Sequence, residues 1–309
     1  MVEIKELVKK YGGKTALDRV SFQAREGEVL GFLGPNGAGK STTLNILTGN
    51  LSATSGTAVI DGFDILESPL EAKRRLGYLP EQPPLYPEMT VEEYLRFVYR
   101  LKGCRLPRPA HLEEVCRTVD IQDVRPRLIR NLSKGYRQRL GIAQALVGRP
   151  RTVVLDEPTS GLDPKQMSEV RDLVKRLGEE HTVIFSSHNL AEVQAVCDRV
   201  VVIDHGRLAA DGSPEELARK LGGSRLRIRA EGPEDALADR LARVPGVREV
   251  RRLPGAGGDG CALELLAEDG RDIRRDVALA LKEGPFLALE IAGEDLQSVF
   301  LKLTEGERT

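Results

Sequence analysis

A glycine-rich segment near the amino terminus constrains the fold of this chain more than any other feature of the sequence. Residues 34–41 read GPNGAGKS, which matches the pattern of glycine, four variable residues, glycine, lysine, and serine or threonine. The apolar run Val29–Leu33 precedes the segment and predicts a buried strand, and Ser41–Leu47 follows it as a helical stretch. A strand, a glycine loop and a helix in this order predict an α/β fold with a phosphate-binding loop at the end of a sheet.

The residue types in this loop explain how it would hold a nucleotide. Glycines allow successive backbone N–H groups to turn towards phosphate oxygens, and the amino terminus of the following helix adds a partial positive charge. Lys40 is expected to reach the terminal phosphates, and the Ser41 hydroxyl is expected to ligate Mg²⁺. The predicted nucleotide-binding residues of the loop are Asn36, Gly37, Ala38, Gly39, Lys40, Ser41 and Thr42.

Two carboxylates at the end of another apolar run extend the predicted site. Residues 152–157 read TVVLDE, so a buried strand would deliver Asp156 to the edge of the sheet beside the glycine loop. There Asp156 could hold Mg²⁺, and Glu157 could polarise a water molecule towards the γ-phosphate. An apolar run that ends in two acids is common by itself, so this interpretation depends on the complete glycine loop upstream.

Further apolar runs place the glycine loop in a layered α/β domain. Thr182–Phe185 and Val200–Ile203 are continuous runs rich in β-branched residues, which are typical of strands covered on both faces. Helical patterns lie between the strands, at Val91–Leu101, Gln138–Val147 and Gln166–Leu177.

The pattern changes after residue 221, which predicts a nucleotide-binding domain at 1–221 and an accessory domain at 222–309. Gly222, Gly223 and Ser224 are typical of a linker. The order of the elements that follow, β-α-β-β-α-β, fits a small α+β ferredoxin-like domain. The elements are Arg225–Ala230, Pro233–Val244, Val247–Leu253, Cys261–Ala267, Asp272–Lys282 and Pro285–Ile291, with a final helix at Asp295–Thr304.

Composition narrows the classes of function. The 46 Lys and Arg residues nearly balance the 47 Asp and Glu residues, and aromatic residues make up only 4% of the chain, so nucleic acid is not a predicted partner. No apolar run approaches the ~20 residues of a membrane helix, and the charged amino terminus is unlike a secretory signal. The four widely spaced cysteines indicate free thiols in a reducing cytoplasm and no zinc site.

Residues 1 to 220 resemble the nucleotide-binding subunit of ATP-binding cassette (ABC) transporters. The resemblance implies a P-loop cassette with a mixed sheet and a helical subdomain, in which Tyr11 stacks on adenine. It also implies that Gln82, in the sequence GYLPEQ, contacts Mg²⁺ and senses a membrane partner. The segment 132–139, LSKGYRQR, resembles the family signature LSGGQ, although a lysine and a tyrosine replace a glycine and the glutamine. Ser133 and Gly135 are retained, and in the family these positions contact the γ-phosphate held by a second subunit.

Two shorter segments complete the resemblance. Residues 160–163, SGLD, are similar to the loop through which the family's subunits contact each other, which implies a dimer contact at Asp163. His188 follows the predicted strand at Thr182–Phe185 and matches the family's switch histidine, which contacts the γ-phosphate. The remaining histidines have no such support and are predicted to be surface residues; they are His111, His181 and His205.

The implied function is an ATPase that drives a membrane transporter. A head-to-tail homodimer would enclose two ATP molecules with Mg²⁺, and hydrolysis at Glu157 would let the subunits separate. The partner would be a separate integral membrane permease, which places the chain on the cytoplasmic face of the inner membrane. The signature and residues 295–304 are similar to gliding-motility, copper-processing and multidrug exporter ATPases. The alternative is a soluble ABC-type ATPase with a non-transport role, which the single cassette and the lack of long heptad runs disfavour.

Overall fold

The computed structural model describes residues 1–217, 225–231, 233–253, 260–268, 271, 273–282 and 287–293. The chain forms two compact units, Met1–Gly212 and Ser213–Thr309. The predicted linker at residues 222–224 and the predicted helix at residues 295–304 lie outside the described residues, so the boundary after residue 221 stays a prediction. Within the described residues, no helix is long and apolar enough to cross a membrane.

The first unit contains two sheets that share one apolar core. Its strands are β1 (Val2–Tyr11), β2 (Lys14–Ala24), β3 (Val29–Leu33), β4 (Ser55–Ile60), β5 (Phe63–Asp64), β6 (Leu76–Leu79), β7 (Thr152–Asp156), β8 (Thr182–Ser187), β9 (Arg199–Asp204) and β10 (Arg207–Gly212). One sheet is antiparallel with the order β2-β1-β4-β5, and the other has the order β10-β9-β3-β8-β7-β6. All strands of the second sheet run parallel except β10, so the predicted mixed sheet is confirmed.

Seven α-helices are described in the first unit. They are α1 (Lys40–Leu47), α2 (Pro69–Arg74), α3 (Val91–Leu101), α4 (Arg108–Thr118), α5 (Lys134–Leu146), α6 (Pro164–Gly178) and α7 (Leu190–Val196). Helix α3 has the predicted bounds because Thr90 and Glu93 form a reciprocal capping box at its amino terminus. Helix α5 begins earlier than the predicted Gln138, because the Ser133 side chain caps it by accepting from Tyr136 N–H.

The mixed sheet places five loops at one edge. Because β3, β6, β7, β8 and β9 run parallel, their carboxyl ends meet there, and in open α/β sheets this is where ligands bind. The glycine loop follows β3, Glu157 follows β7, and His188 follows β8. The register pairs Asp156 of β7 with Ser186 of β8, so these two polar residues are neighbours at that edge of the sheet.

The apolar faces of both sheets pack against each other and against helix α1. Strand β3 is buried along its whole length, as its continuous apolar sequence predicts. The rings of Phe22 and Phe32 stack with centroids 5.1 Å apart, which links the antiparallel sheet to the mixed sheet. Leu44 and Leu47 of α1 are fully buried in the same core. The helix that carries the phosphate loop is therefore fixed by packing on its apolar side.

The second unit has the predicted ferredoxin-like arrangement. Its elements are β11 (Arg225–Glu231), α8 (Glu234–Ala242), β12 (Val247–Arg252), β13 (Gly260–Ala267), α9 (Arg274–Lys282) and β14 (Leu287–Gly293). The sheet is antiparallel with the order β12-β13-β11-β14. Ile228 and Leu263 on the sheet and Leu237 and Val277 on the helices are fully buried, so both helices cover one face of the sheet.

The prediction that His111 is a surface residue is wrong. His111 lies on α4 and is only 3% exposed, and its Nε2 accepts a hydrogen bond from Gly148 N–H at 2.9 Å. Burial lowers the pKa of the imidazole, although the nearby Glu114 carboxylate opposes that shift. The folded chain therefore holds this ring neutral, with Nε2 as an acceptor. His181 is half-buried and also bonds the backbone, at Pro150 O.

The buried imidazole predicts a loss of stability in mild acid. Because the pKa of His111 is lower in the folded chain than its unfolded value of about 6.5, protonation favours the unfolded chain below that pH. We expect the His111 contribution to be complete above about pH 6.5 and to be lost as the pH falls further.

Urea unfolding of the wild type and of His111→Gln between pH 8 and pH 5 measures this effect. The glutamine side chain can accept from Gly148 N–H but does not titrate, so its unfolding midpoint is expected to fall less with acid than that of the wild type. Equal acid sensitivity of the two proteins would contradict the assignment to His111.

Candidate functional site

The loops at the carboxyl edge of the mixed sheet enclose a cavity of about 650 Å³. This volume is in the range of small-molecule sites, which is roughly 300–1,000 Å³. The cavity brings together residues from the glycine loop, β1, β2 and the loops after β6 to β9. It is lined by Tyr11, Lys14, Thr15, Ala16, Pro35, Asn36, Gly37, Gly39, Lys40, Ser41, Thr42, Glu81, Glu157, Ser160, His188 and His205.

The glycine loop requires glycine at the residue that precedes α1. Gly39 has a φ of 110°, which is unfavourable for any side chain, and an added Cβ would lie 2.7 Å from Leu17 Cδ2. Lys40, the first residue of α1, is nearly buried, and its ammonium group donates to Gly34 O at 2.6 Å and to Pro35 O at 3.3 Å. The loop thus curls around the lysine that should meet the phosphates.

The Glu157 carboxylate lies between the Lys40 ammonium group and the His188 imidazole. Its Oε1 is 3.6 Å from Lys40 Nζ, and its Oε2 is 2.8 Å from His188 Nδ1. Burial raises the pKa of the Glu157 carboxyl, while His188 and Lys40 oppose the shift. A buried carboxylate that is oriented by a histidine has the geometry of a general base. The backbone of Glu157 is also left-handed, with a φ of 48°, which is uncommon for a residue other than glycine.

Asp156 and Ser41 provide hard oxygen donors beside the loop. Asp156 Oδ1 accepts from Ser186 Oγ at 2.6 Å, and the same hydroxyl accepts from Glu157 N–H at 3.0 Å. Burial raises the pKa of the Asp156 carboxyl, and the hydrogen bonds from Ser186 and Ser41 oppose that shift only in part. A carboxylate and a hydroxyl are both hard oxygen donors of the type that Mg²⁺ prefers, so these residues fit the predicted ion.

Three other predicted site residues differ in their position relative to the cavity. Tyr11 lines the cavity, is half exposed and has Lys9 Nζ 5.1 Å from its ring centroid. Ala38 lies beneath the loop, where its carbonyl accepts from Gly206 N–H at 2.9 Å, and does not line the cavity. Gln82 is exposed and does not line it either, whereas its neighbour Glu81 does. The predicted contact of Gln82 with Mg²⁺ stays a prediction.

The signature segment packs on the predicted dimer-contact loop of the same chain rather than on the cavity. Ser133 is exposed at the start of α5, and the space beside Gly135 is filled by the Gln166 side chain, 2.9 Å from an added Cβ. The ammonium group of Lys134 lies against Gly161. Asp163 caps α6 by accepting from Gln166 N–H at 2.9 Å, so it has a local structural role whether or not it contacts a second subunit.

Several cavity residues were not identified from the sequence. His205 is exposed, as the sequence predicts, but it also lines the cavity from the turn between β9 and β10. Its position directly after a parallel strand was the available signal. Lys14, Thr15 and Ala16 line the cavity from the start of β2, where only the hairpin with Tyr11 could have indicated them.

Comparison with known proteins finds a family model and relatives that are described as ABC transporter or ATP-binding proteins. A family model described as ABC transporter matches residues 17–160. The uncharacterized ABC transporter ATP-binding protein YxlF of Bacillus subtilis (strain 168) is 40% identical over 221 residues, which cover 71% of this chain and 73% of that protein. The daunorubicin/doxorubicin resistance ATP-binding protein DrrA of Streptomyces peucetius is 35% identical and is aligned over 98% of this chain and 92% of that protein.

Solved structures resemble the chain over about 70% of its length. An ATP-binding subunit of an ABC transporter has a TM-score of 0.65 at 30% identity, covering 72% of this chain and 93% of its own. The dimeric post-hydrolysis state of the ATP-binding cassette MJ0796, bound to ADP and Pi, has a TM-score of 0.62 at 27% identity. That match covers 69% of this chain and 98% of the cassette.

The geometry of the loop predicts that Gly39→Ala weakens nucleotide binding. Alanine at this φ costs on the order of 1–3 kcal/mol, and the contact with Leu17 would displace the loop further, so we expect about tenfold or weaker affinity for ATP. Titration with a fluorescent ATP analogue measures the change. Gly13→Ala is the matched control, because an added Cβ there meets no atom within 4 Å. Equal affinities of the two variants would contradict the prediction.

Proposed function

Because the chain belongs to the ATP-binding subunits of ABC transporters, we propose that it powers export through a separate integral membrane permease by closing as a homodimer on two ATP molecules. ATP hydrolysis is the activity of this family, and the chain is an ATPase. The observation that carries the proposal is the convergence of Lys40, Glu157 and His188 in one cavity beside the glycine loop.

The contacts in the cavity suggest a division of roles in hydrolysis. The buried Lys40 ammonium group would neutralise the terminal phosphates, and the backbone N–H groups of the loop would orient them. Glu157 would orient the attacking water and accept its proton, while His188 keeps the carboxylate in position through the 2.8 Å contact. Burial supports this role, since a raised pKa makes the Glu157 carboxylate a better proton acceptor.

Asp156 and the Ser41 hydroxyl would hold the magnesium ion, with Gln82 as a further contact. When bound, Mg²⁺ would neutralise charge on the phosphate oxygens. In this proposal the Ser186 hydroxyl aims the Asp156 carboxylate by donating to it at 2.6 Å.

Dimerisation would complete each site. Ser133 and Gly135 do not line the cavity of their own chain, and Ser133 is exposed at the amino terminus of α5, where a second chain's phosphates could meet it. The dimeric structure of the MJ0796 cassette supports the formation of a dimer. Each chain carries both halves of the site, so a homodimer would contain two complete sites, with the contact loop around Asp163 between them.

Coupling to a membrane partner would use the segment from Glu81 to Leu101. Its prolines follow β6, and Tyr86, which is half exposed, packs edge-on against Phe97 with ring centroids 5.5 Å apart. A rigid, partly apolar face of this kind suits a helix from a permease. The proposed location is therefore the cytoplasmic face of the cell membrane, and the resistance protein DrrA supports export as the direction.

Replacement of the proposed base tests the hydrolytic role. Glu157→Gln keeps the size of the side chain but cannot accept the proton, so we expect ATP turnover to fall at least about 100-fold. The variant is expected to elute as an ATP-dependent dimer in size-exclusion chromatography with Mg²⁺. Glu26→Gln, in an exposed turn at the opposite edge of the sheet, is the control. Retained turnover in Glu157→Gln would overturn the role of Glu157.

Co-expression with the membrane protein encoded by the adjacent gene tests transport coupling. We expect the chain to sediment with membranes and to co-purify with that protein. Tyr86→Asp should weaken the association by about tenfold, because it places a charge on the docking face. Leu70→Asp, a change at another exposed apolar residue, should leave it unchanged. Recovery of the wild-type chain only in the soluble fraction would count against the proposal.

A further inference from the structure

A buried glutamate outside the nucleotide cavity joins two of the loops that form the cavity. Glu192 lies in the first turn of α7 and is only 4% exposed. Its Oε2 accepts two hydrogen bonds, from Thr159 Oγ1 at 2.6 Å and from Ser187 Oγ at 2.9 Å. Both hydroxyls are buried as well, so all three polar groups are removed from solvent and satisfy one another.

Packing alone does not explain a carboxylate at this position. Leu190 and Val193 on the same helix are buried and provide apolar contact. Burying a carboxylate is unfavourable unless hydrogen bonds compensate, and here one bond comes from the loop after β7 and the other from the last residue of β8. Two hydroxyls donate to the same carboxylate oxygen at 2.6 Å and 2.9 Å, so the two bonds restrict the positions of Thr159 and Ser187 relative to each other.

The two loops carry the proposed catalytic pair. Thr159 lies in the loop that begins with Glu157, and Ser187 immediately precedes His188. Within the sheet, Ser186 Oγ already links the ends of β7 and β8, because it accepts a hydrogen bond from Glu157 N–H and donates one to Asp156. Glu192 forms a second link on the helix side. The 2.8 Å contact between Glu157 and His188 is therefore held from both sides.

The same link extends to the predicted dimer-contact loop. Thr159 directly precedes Ser160, which lines the cavity and begins the segment 160–163. Asn189 N–H also donates to Ser187 Oγ at 2.9 Å, which ties the start of α7 into the network. A shift of α7 would thus be transmitted to both loops through one carboxylate.

We propose that Glu192 is a positioning residue for ATP hydrolysis, which fixes the loops after β7 and β8 so that His188 and Glu157 meet. The inference rests on the proposed roles of Glu157 and His188. Glu192 contacts neither the nucleotide cavity nor the proposed metal ligands directly. Its effect is therefore expected on the rate of the chemical step and not on ATP affinity.

Substitution of Glu192 in the full-length chain separates positioning from packing. Glu192→Leu removes both hydrogen bonds at similar size, and we expect kcat to fall at least about tenfold while KM for ATP stays within about twofold. Glu192→Gln keeps an oxygen that accepts both bonds, so its kcat is expected to remain within about threefold of the wild type. Glu28→Gln, a buried carboxylate paired with Arg199, controls for stability loss at a buried glutamate distant from the site.

Histidine NMR gives a readout that a purely structural role would not change. The chain has four histidines, so their ring signals can be assigned by substitution. We expect the His188 signal to shift in Glu192→Leu, and the signals of His181 and His205 to stay in place. A wild-type kcat together with an unshifted His188 signal would overturn the proposal.

Milder substitutions keep the test decisive if Glu192→Leu does not fold. Thr159→Val removes one of the two bonds, and we expect a several-fold lower kcat at unchanged KM. Wild-type kcat in Thr159→Val and in Ser187→Ala would then overturn the proposal. If Glu157→Gln retains turnover, the proposed function fails. If Glu157→Gln loses turnover and the Glu192 and Thr159 variants do not, only this inference fails.

Discussion

Parallel pairing of β3, β7 and β8 is the constraint on which the site depends. The pairing brings the ends of three strands that are distant in sequence to one edge, and its register sets Asp156 opposite Ser186. One hydroxyl then accepts from Glu157 N–H and donates to Asp156, so the sheet fixes the Asp156 carboxylate and the backbone of Glu157. Because both faces of β3 are covered, the register cannot slip without moving buried apolar side chains into the wrong layer.

The site balances charges that would be unfavourable if they were buried alone. Lys40 and Glu157 are both nearly buried and lie 3.6 Å apart, and each lowers the cost of burying the other. Burial nevertheless raises the pKa of both Asp156 and Glu157, because removal from water disfavours the charged form of each carboxyl group. The Asp156 carboxylate offers oxygen donors of the type that a divalent cation prefers, and the raised pKa of Glu157 favours the proton-accepting role proposed for it.

Much of the fold could be predicted because its signals are local. The capping box at Thr90 and Glu93 sets the start of α3, and the order of strand and helix patterns after residue 225 indicates the ferredoxin-like unit, whose strand order confirms it.

The sequence predicts less about side chains that contact each other from distant parts of the chain. His111 has the surroundings of a surface residue in sequence, yet it is buried and accepts a hydrogen bond from Gly148 N–H on another segment. Glu81 and Gln82 are adjacent, and only the backbone path after β6 decides which of them lines the cavity.

The sequence by itself determined the phosphate loop, the strands that end in the acids and in His188, and therefore the class of ligand. These features consist of particular residue types at short, fixed spacings. The local backbone brings such residues together, so the sequence alone predicts the site that they form. The tertiary structure alone decided which polar groups join the loops. Thr159 and Glu192 are 33 residues apart, and their hydrogen bond exists only because α7 packs beside the carboxyl ends of β7 and β8. Contacts between distant segments depend on packing, and no local pattern encodes them.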